Sequence, residues 1–293
     1  MRFPDYFRNA AKPVISFEVF PPKTDKAFES LKTILPELLA LHPSFMTVTY
    51  GAMGTTQART LEIAALIKRE YKLETASHLT CVGASRTQLD EILANLARHE
   101  IHNIVALRGD PPAGQDEFKP PPDGLAHANE LVAHIRGWCE RTGHPRFGIA
   151  VAGYPEKHVQ APDLAADLRN LKRKVDTGAD VVVTQLFFDN ADFFRFVDDA
   201  RKLGITQPIV PGLLPIQSGK QIQRIASLCG SKLPEPLLKE LQAAGEDDER
   251  CTQIGIEWCA IQVKELLAKG APGVHFYVLN KARHMREIMA RIA

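Results

Sequence analysis

One carboxylate stands out by its setting. The run SFEVFPPKT, residues 16–24, reads as a buried β-strand that carries Glu18 and stops at the double proline Pro21–Pro22. A strand hemmed in by helices is ordinarily apolar on both faces. An ionised glutamate there is costly unless it is paired or holds a proton. Glu18 is therefore a candidate general acid, with a carboxyl that desolvation would push up far enough to keep a proton near neutral pH.

Other polar residues collect where apolar runs end. They are Thr49 and Tyr50, His78, Arg108–Gly109–Asp110, Tyr154, Gln185, the PGLLP run at 211–215, and Tyr277 with Asn280. Each also has a plain structural reading. Asp110 or Asn280 could simply cap the next helix, His78 could be a satisfied core histidine, and the tyrosines could be packing residues with solvated hydroxyls. Pairing with Arg108 would likewise explain Glu18. It is their co-location that points to a site. A second cluster lies further on, where Asp167, Asn170 and Lys174 are spaced i, i+3, i+7 with Arg173 further round. As a bare pattern this is a solvated helix face, or else a grip on ribose and phosphates.

The elements that must position these residues follow from periodicity. Apolar runs predict strands at 14–20, 45–50, 75–81, 103–108, 147–153, 181–188, 208–213 and 274–279. Between most of them the spacing is helical, as in the stripe Leu164, Leu168, Leu171, Val175, opened by Pro162–Asp163 and closed by Gly178. Helices are also expected at 86–100 and 254–269, with an extra helix within 231–252. Eight strands alternating with helices imply a parallel sheet. At 293 residues a single α/β domain, a closed (β/α)₈ TIM barrel, suits the count better than a doubly wound sheet. No GxGxxG follows a strand and no Walker A loop occurs. The Pro-rich stretch 111–124 is expected to form a long loop at the site.

Composition narrows the function classes. With 36 Lys and Arg against 35 Asp and Glu, the net charge is +1, which gives no electrostatic case for nucleic acid or an anionic membrane. The five cysteines form no CxxC pair, which argues against a disulfide framework or a zinc site. No signal-like or membrane-spanning apolar stretch is evident, so a reduced, cytoplasmic protein is expected.

In this order the motifs resemble the catalytic domain of the methylenetetrahydrofolate reductase family. The stretches are SFEVFPPKT (16–24), VTYGAMG (48–54), HLTC (78–81), IVALRGDPP (104–112), YPEKH (154–158), DLRNLKRKVDTGAD (167–180), TQLFFD (184–189), PGLLP (211–215) and HFYVLNKA (275–282). The resemblance implies a (β/α)₈ barrel that binds FAD without a Rossmann fingerprint. It implies reduction of 5,10-methylenetetrahydrofolate to 5-methyltetrahydrofolate by NAD(P)H, in a ping-pong hydride transfer that feeds methionine synthesis. Glu18 then matches the general acid, and Asp110 the aspartate beside flavin and pterin. Gln185 and Gln221 match folate contacts and Thr49 a nicotinamide contact. Tyr50, Ala52, His78, Arg108, Gly109, Asp110, Ala128, Tyr154, His158, Ala161, Asp167, Asn170, Arg173 and Lys174 match the FAD site. Bacterial relatives commonly self-associate, so a homo-oligomer is implied.

There are departures. Gln57 stands where many relatives carry a basic residue, Lys281 stands where arginine is expected at a folate-tail contact, and loop 111–124 matches poorly. Lysine keeps the charge but loses the bidentate fork. With Ala293 as the last residue, a catalytic domain alone is expected, lacking the regulatory domain of eukaryotic relatives. A Schiff-base aldolase or other lyase is the rival enzyme, but it needs a strand-end lysine that these strands lack. The rival of another class is a non-catalytic folate or flavin binder.

Overall fold

The structure is a computed structural model that describes residues 1–8, 10–49, 55–110 and 119–292, with the side chains of 55–57 left aside. Tyr50 and Ala52 of the sequence reading, the side chain of Gln57, and residues 111–118 of the Pro-rich loop lie outside what is described.

The strands are β1 (Val14–Val19), β2 (Phe45–Val48), β3 (Thr75–Thr80), β4 (Asn103–Leu107), β5 (Gly148–Gly153), β6 (Val181–Thr184), β7 (Ile209–Val210), β8 (Gly212–Leu213) and β9 (Gly273–Tyr277). Around them run α1 (Phe3–Phe7), α2 (Asp25–Leu39), α3 (Thr55–Glu70), α4 (Arg86–Arg98), α5 (Ala128–Thr142), α6 (Leu164–Asp176), α7 (Asn190–Lys202), α8 (Gly219–Cys229), α9 (Glu235–Ala244), α10 (Asp248–Ala268) and α11 (Ala282–Ile292). All ladders are parallel, in the order β7-β6-β5-β4-β3-β2-β1-β9-β8. Because β7 and β8 are consecutive in the chain, the ring closes through them as a single (β/α)₈ barrel.

The expected seventh strand, 208–213, is broken at Pro211. Proline has no N–H to give a ladder, so the strand divides its pairing. Ile209 and Val210 pair with β6, while Gly212 and Leu213 pair with β9. The Pro211 carbonyl still accepts from His275 N (2.9 Å), and Thr184 Oγ1 accepts from Gly212 N (2.9 Å). Gly212 is required here, since a Cβ would lie 2.2 Å from the Thr184 carbonyl oxygen. Tyr277 Oη bridges the same seam by donating to that carbonyl (2.7 Å).

Strand alternation sorts the residues. Val14, Phe45, Ala76, Val105, Ala150, Val181 and Val210, one from each of seven strands, form an apolar layer inside the lower barrel, with Phe3 of α1 packed against it. Their neighbours Phe17, Val19, Met46, Val48, Ile104, Ala106 and Phe276 face outward into the main core beneath the helices. Helix α1 was not foreseen; it is anchored by Asn103, whose Oδ1 accepts from Phe3 N (2.7 Å) and whose Nδ2 donates to Met1 O (2.9 Å).

The sixth strand ends at Thr184 rather than at 188. Its apolar continuation, Leu186 and Phe188, leaves the ladder to join Leu214, Ile216, Ile222, Leu237 and Leu241 in a satellite core under α8 and α9. A run of hydrophobic residues thus served two cores in succession. The last long helix begins earlier than 254: Asp247 caps α10 by accepting from Arg250 N (3.0 Å), and Asp248 and Glu249 lie in its first turn. The acidic cluster there is a helix start favoured by the macrodipole.

Candidate active site

Glu18 is buried on the inward face of β1, one position from the strand's end. Register places Thr47 of β2 beside it, and Tyr277 of β9 on the other side. Thr47 Oγ1 donates to Glu18 Oε2 (3.1 Å), and His275 Nε2 lies 3.2 Å from the same oxygen. A carboxylate can only accept, so His275 carries its proton on Nε2. Its Nδ1 is 2.8 Å from Ser16 Oγ. His78 Nε2 is 3.0 Å from Glu18 Oε2, within ion-pair reach but out of line for a hydrogen bond, and it has no other partner among the described residues.

This overturns one expectation. Burial does push the Glu18 carboxyl up, and it is the largest single influence, but the nearby imidazole of His78 and the hydrogen-bonded one of His275 together outweigh it. The carboxyl is held below the ordinary range rather than raised. The pocket is not the apolar one that the strand's composition suggested. Two imidazoles supply the compensation that a buried carboxylate needs. Arg108, the partner considered from sequence, instead donates to Gln160 Oε1 (2.5 Å) and Gly109 O (3.2 Å).

Two adjoining cavities open at the carboxyl-terminal face. The larger, about 500 Å³, reaches from the mouth into the barrel and is lined by Glu18, Thr49, His78, Gly109, Asp110 and Gln185, with Phe20, Leu186, Leu214, Ile225 and Leu279 forming an apolar side. The smaller, about 310 Å³, is lined by Ala128, Ala161, Asp167, Asn170, Arg173 and Lys174. Arg108, Tyr154 and His158 line both. Asp110 is exposed at the rim. Gln221, in the first turn of α8, and Lys281 are exposed and line neither cavity.

The smaller cavity has the chemistry of an anion cleft with a polyol neighbour. Lys174 reaches from α6 under Tyr154 to donate to the Ala152 carbonyl, and burial pushes its ammonium down to about 8 against the opposing pull of Asp167. Asp167 Oδ2 accepts from His158 N (3.0 Å), which ties the turn after β5 to α6. Burial, then Arg108, pushes the His158 imidazole down, and burial pushes the Tyr154 phenol up. Arg108, Arg173 and Lys174 would neutralise a pyrophosphate, while Asp167 has oxygen to spare for ribose hydroxyls. The donor set fits a dinucleotide whose ring end extends into the larger cavity.

Sequence reasoning missed His275 and Ser16. The signal was present: residues i, i+2 on a strand share a face, so Ser16 sits with Glu18, and His275 with Tyr277.

A parallel (β/α)₈ barrel with a histidine-flanked acid at its mouth and a cationic cleft beside it defines a barrel enzyme built to hold an anionic ligand. The profile of the family "Methylenetetrahydrofolate reductase" matches residues 4–293. The chain belongs to that family.

Among its relatives are "Methylenetetrahydrofolate reductase (NADH) 1" of Arabidopsis thaliana, 42% identical over 90% of this chain and 46% of that protein, and "5,10-methylenetetrahydrofolate reductase" of Pectobacterium carotovorum, 40% identical over 92% of this chain and 86% of that protein. The Escherichia coli protein of the same name is 37% identical with the same coverage. The chain spans about half the length of the plant relatives. Among solved structures, an uncharacterized Clostridium thermocellum protein that "binds two copies of 5-methyl-5,6,7,8-tetrahydrofolic acid" superposes with a TM-score of 0.64 at 15% identity, covering 98% of this chain and 96% of that one. A 2,3-dimethylmalate lyase superposes at 0.52 with 10% identity, covering 92% of this chain and 86% of that one. At such identities the likeness is one of fold.

Proposed function

We propose that this chain reduces 5,10-methylenetetrahydrofolate to 5-methyltetrahydrofolate with a reduced nicotinamide, using FAD. The observation that carries the reading is the Glu18–His78–His275 cluster, a buried acid flanked by two imidazoles at the barrel mouth, beside a cleft suited to a dinucleotide. Family membership and the folate-reductase names of relatives covered over most of their length support it.

FAD bound here would take a hydride from NAD(P)H and pass it to the folate methylene carbon. Arg108, Arg173 and Lys174 would hold its pyrophosphate, and Asp167 and Asn170 its ribose and ribityl hydroxyls. His78, Tyr154 and Gly109 would border its ring, with Ala128 and Ala161 packing along the cleft. Gln185 and Asp110 face the space left for the pterin, and Thr49 the nicotinamide.

Each turnover consumes one hydride and one proton. The proton is needed on the folate nitrogen whose bond to the methylene carbon breaks as the bridge opens to an iminium. Glu18 delivers it. The two histidines hold the carboxyl below its ordinary range. A substrate covering the mouth removes water and strengthens the burial that pushes the carboxyl up, so Glu18 takes up a proton from solvent as the mouth is covered and holds it where it is wanted. The setting is cytoplasmic, and the product would serve as methyl donor for methionine synthesis.

The test separates the two half-reactions anaerobically. The purified protein should carry visible flavin absorbance, bleach with NADH or NADPH, and recover its colour with methylenetetrahydrofolate. Glu18→Gln should bleach normally but recover about 10²–10⁴-fold more slowly. Near-normal recovery in that variant would remove Glu18 from the role. A wild-type protein that binds no flavin would end the proposal.

A further inference from the structure

The last strand does not end as a strand should. After Tyr277 the backbone turns through two successive left-handed residues, Leu279 (φ 47°) and Asn280 (φ 53°), neither of them glycine. A left-handed asparagine is tolerable, but a left-handed leucine is strained by steric conflict between its side chain and backbone. Such strain persists only where surrounding structure holds it, and it gathers at functional sites.

The holding contact is specific. Asn280 Oδ1 accepts from Phe20 N (2.9 Å) and Asn280 Nδ2 donates to Phe20 O (2.9 Å). The side-chain amide thereby stands in for a peptide group. It adds one more pair to the β1/β9 ladder, which otherwise ends with Glu18 opposite Tyr277 and with Val278 N donating to Glu18 O (3.2 Å). Phe20 has no other partner for that N–H among the described residues. Pro21 and Pro22 follow it and bring no donors of their own.

The consequence falls on the mouth. Phe20, 36% exposed, lies two residues beyond Glu18, and Leu279 lies two beyond Tyr277; both side chains line the larger cavity that contains Glu18. One amide therefore fixes two apolar side chains from opposite sides of the β1/β9 seam. We propose that Asn280 is a positioning residue for the reducible substrate: by gripping Phe20 and holding Leu279 left-handed, it sets these two as jaws that seat a planar aromatic ligand over Glu18. Asn280 acts through its neighbours and touches no reacting atom. Naming the ligand as a folate rests on the function proposed above.

Asn280→Gly and Asn280→Ala separate the grip from the backbone. Glycine relieves the left-handed conformation but loses both hydrogen bonds, while alanine loses the bonds and keeps the conflict. If the grip matters, both variants raise KM for methylenetetrahydrofolate roughly tenfold, with kcat and the rate of flavin reduction by NADH within about twofold of wild type. Asn280→Asp, which keeps the acceptor for Phe20 N alone, falls between. A wild-type KM in Asn280→Gly overturns the inference, because only relaxed backbone would then be needed. So does an equal loss in flavin reduction, which would mark a general collapse of the site. Amide hydrogen exchange at Phe20 provides a readout independent of substrate: protected in wild type, fast in Asn280→Gly. If wild type reduces no folate, it is the proposed function that fails, and unchanged protection at Phe20 in the glycine variant would then overturn the grip itself.

Discussion

Arg136 offers the sharpest quantitative test of how the scaffold is held. It rises from α5 and is buried at the amino-terminal end of the barrel. Its Nη1 donates to Phe147 O (2.5 Å), its Nε and Nη2 to Gly178 O (3.1 and 2.6 Å), and its Nη2 to Asp180 Oδ2 (2.8 Å). Asp180 Oδ2 also accepts from Ile149 N (2.8 Å). One guanidinium thus joins the entries of β5 and β6. Arg136→Met preserves much of the stem packing but strands two carbonyls and a carboxylate. Each orphaned buried acceptor costs about 1–3 kcal/mol. Asp180 keeps its Ile149 bond and is 26% exposed in its side chain, so water can solvate it and its share falls at the low end. The expected loss is about 3–5 kcal/mol, or roughly 10 °C in Tm for a chain of this size. Urea unfolding followed by circular dichroism would measure it. Arg136→Lys, keeping charge without the fork, should lose about half as much. Because the clamp sits at the face opposite the chemistry, turnover per folded molecule should not change. A loss under about 1 kcal/mol in Arg136→Met, or an activity loss in the still-folded variant, would refute this account of the clamp.

Three further outcomes follow from the site and the seam. Since the Glu18 carboxyl lies below its unfolded value of 4.5, its contribution to stability is present above that pH and lost as pH falls through it toward the folded value. Unfolding free energy measured against pH should therefore drop less steeply on the acid side in Glu18→Gln. Lys174 titrates at about 8 in the free protein, and only its ammonium form neutralises phosphate, so FAD affinity should weaken as pH rises through that value. Lys174→Met should bind FAD more weakly and without that pH dependence, as read by equilibrium dialysis. Thr184→Val keeps the shape of a fully buried side chain but orphans Gly212 N, and should cost about 1–3 kcal/mol in urea unfolding.

Much of this molecule could be read from sequence because its signals are local. Alternating strands and helical stripes such as Leu164–Val175 are set by near neighbours, and six of the eight strands fell within about two residues of where they were expected. The seventh did not, because the pairing of Ile209–Leu213 depends on which neighbour each half meets, and that is decided by closure of the ring. Likewise the end of β6 was hidden by a second core that prolonged its apolar run. At the site, the co-location of His78, Arg108 and Tyr154 followed from strand order, whereas the joining of Asp167 and Lys174 to them came from the resemblance, since their spacing alone reads as a solvated helix face. The protonation of Glu18 did not follow from strand order. It depends on His275, 257 residues away in sequence, and desolvation reasoned from one strand gave the wrong sign. Gln221 and Lys281 came from resemblance alone, and no periodicity indicates how far a long side chain reaches.

The split at Pro211 has a dynamic side. From β6 through β1 to β9 the ladder runs unbroken, and the ring is closed by the four residues of β7 and β8 with Pro211 between them and by the Tyr277–Thr184 bond. Local opening follows the least-bonded unit first, so this barrel is a horseshoe with a latch. The segment that follows the latch carries Leu214, Ile225 and Cys229, all on the wall of the mouth cavity. Ligand entry can then proceed by breathing of that one side, while Glu18 and its histidines, on strands in the unbroken arc, keep their places.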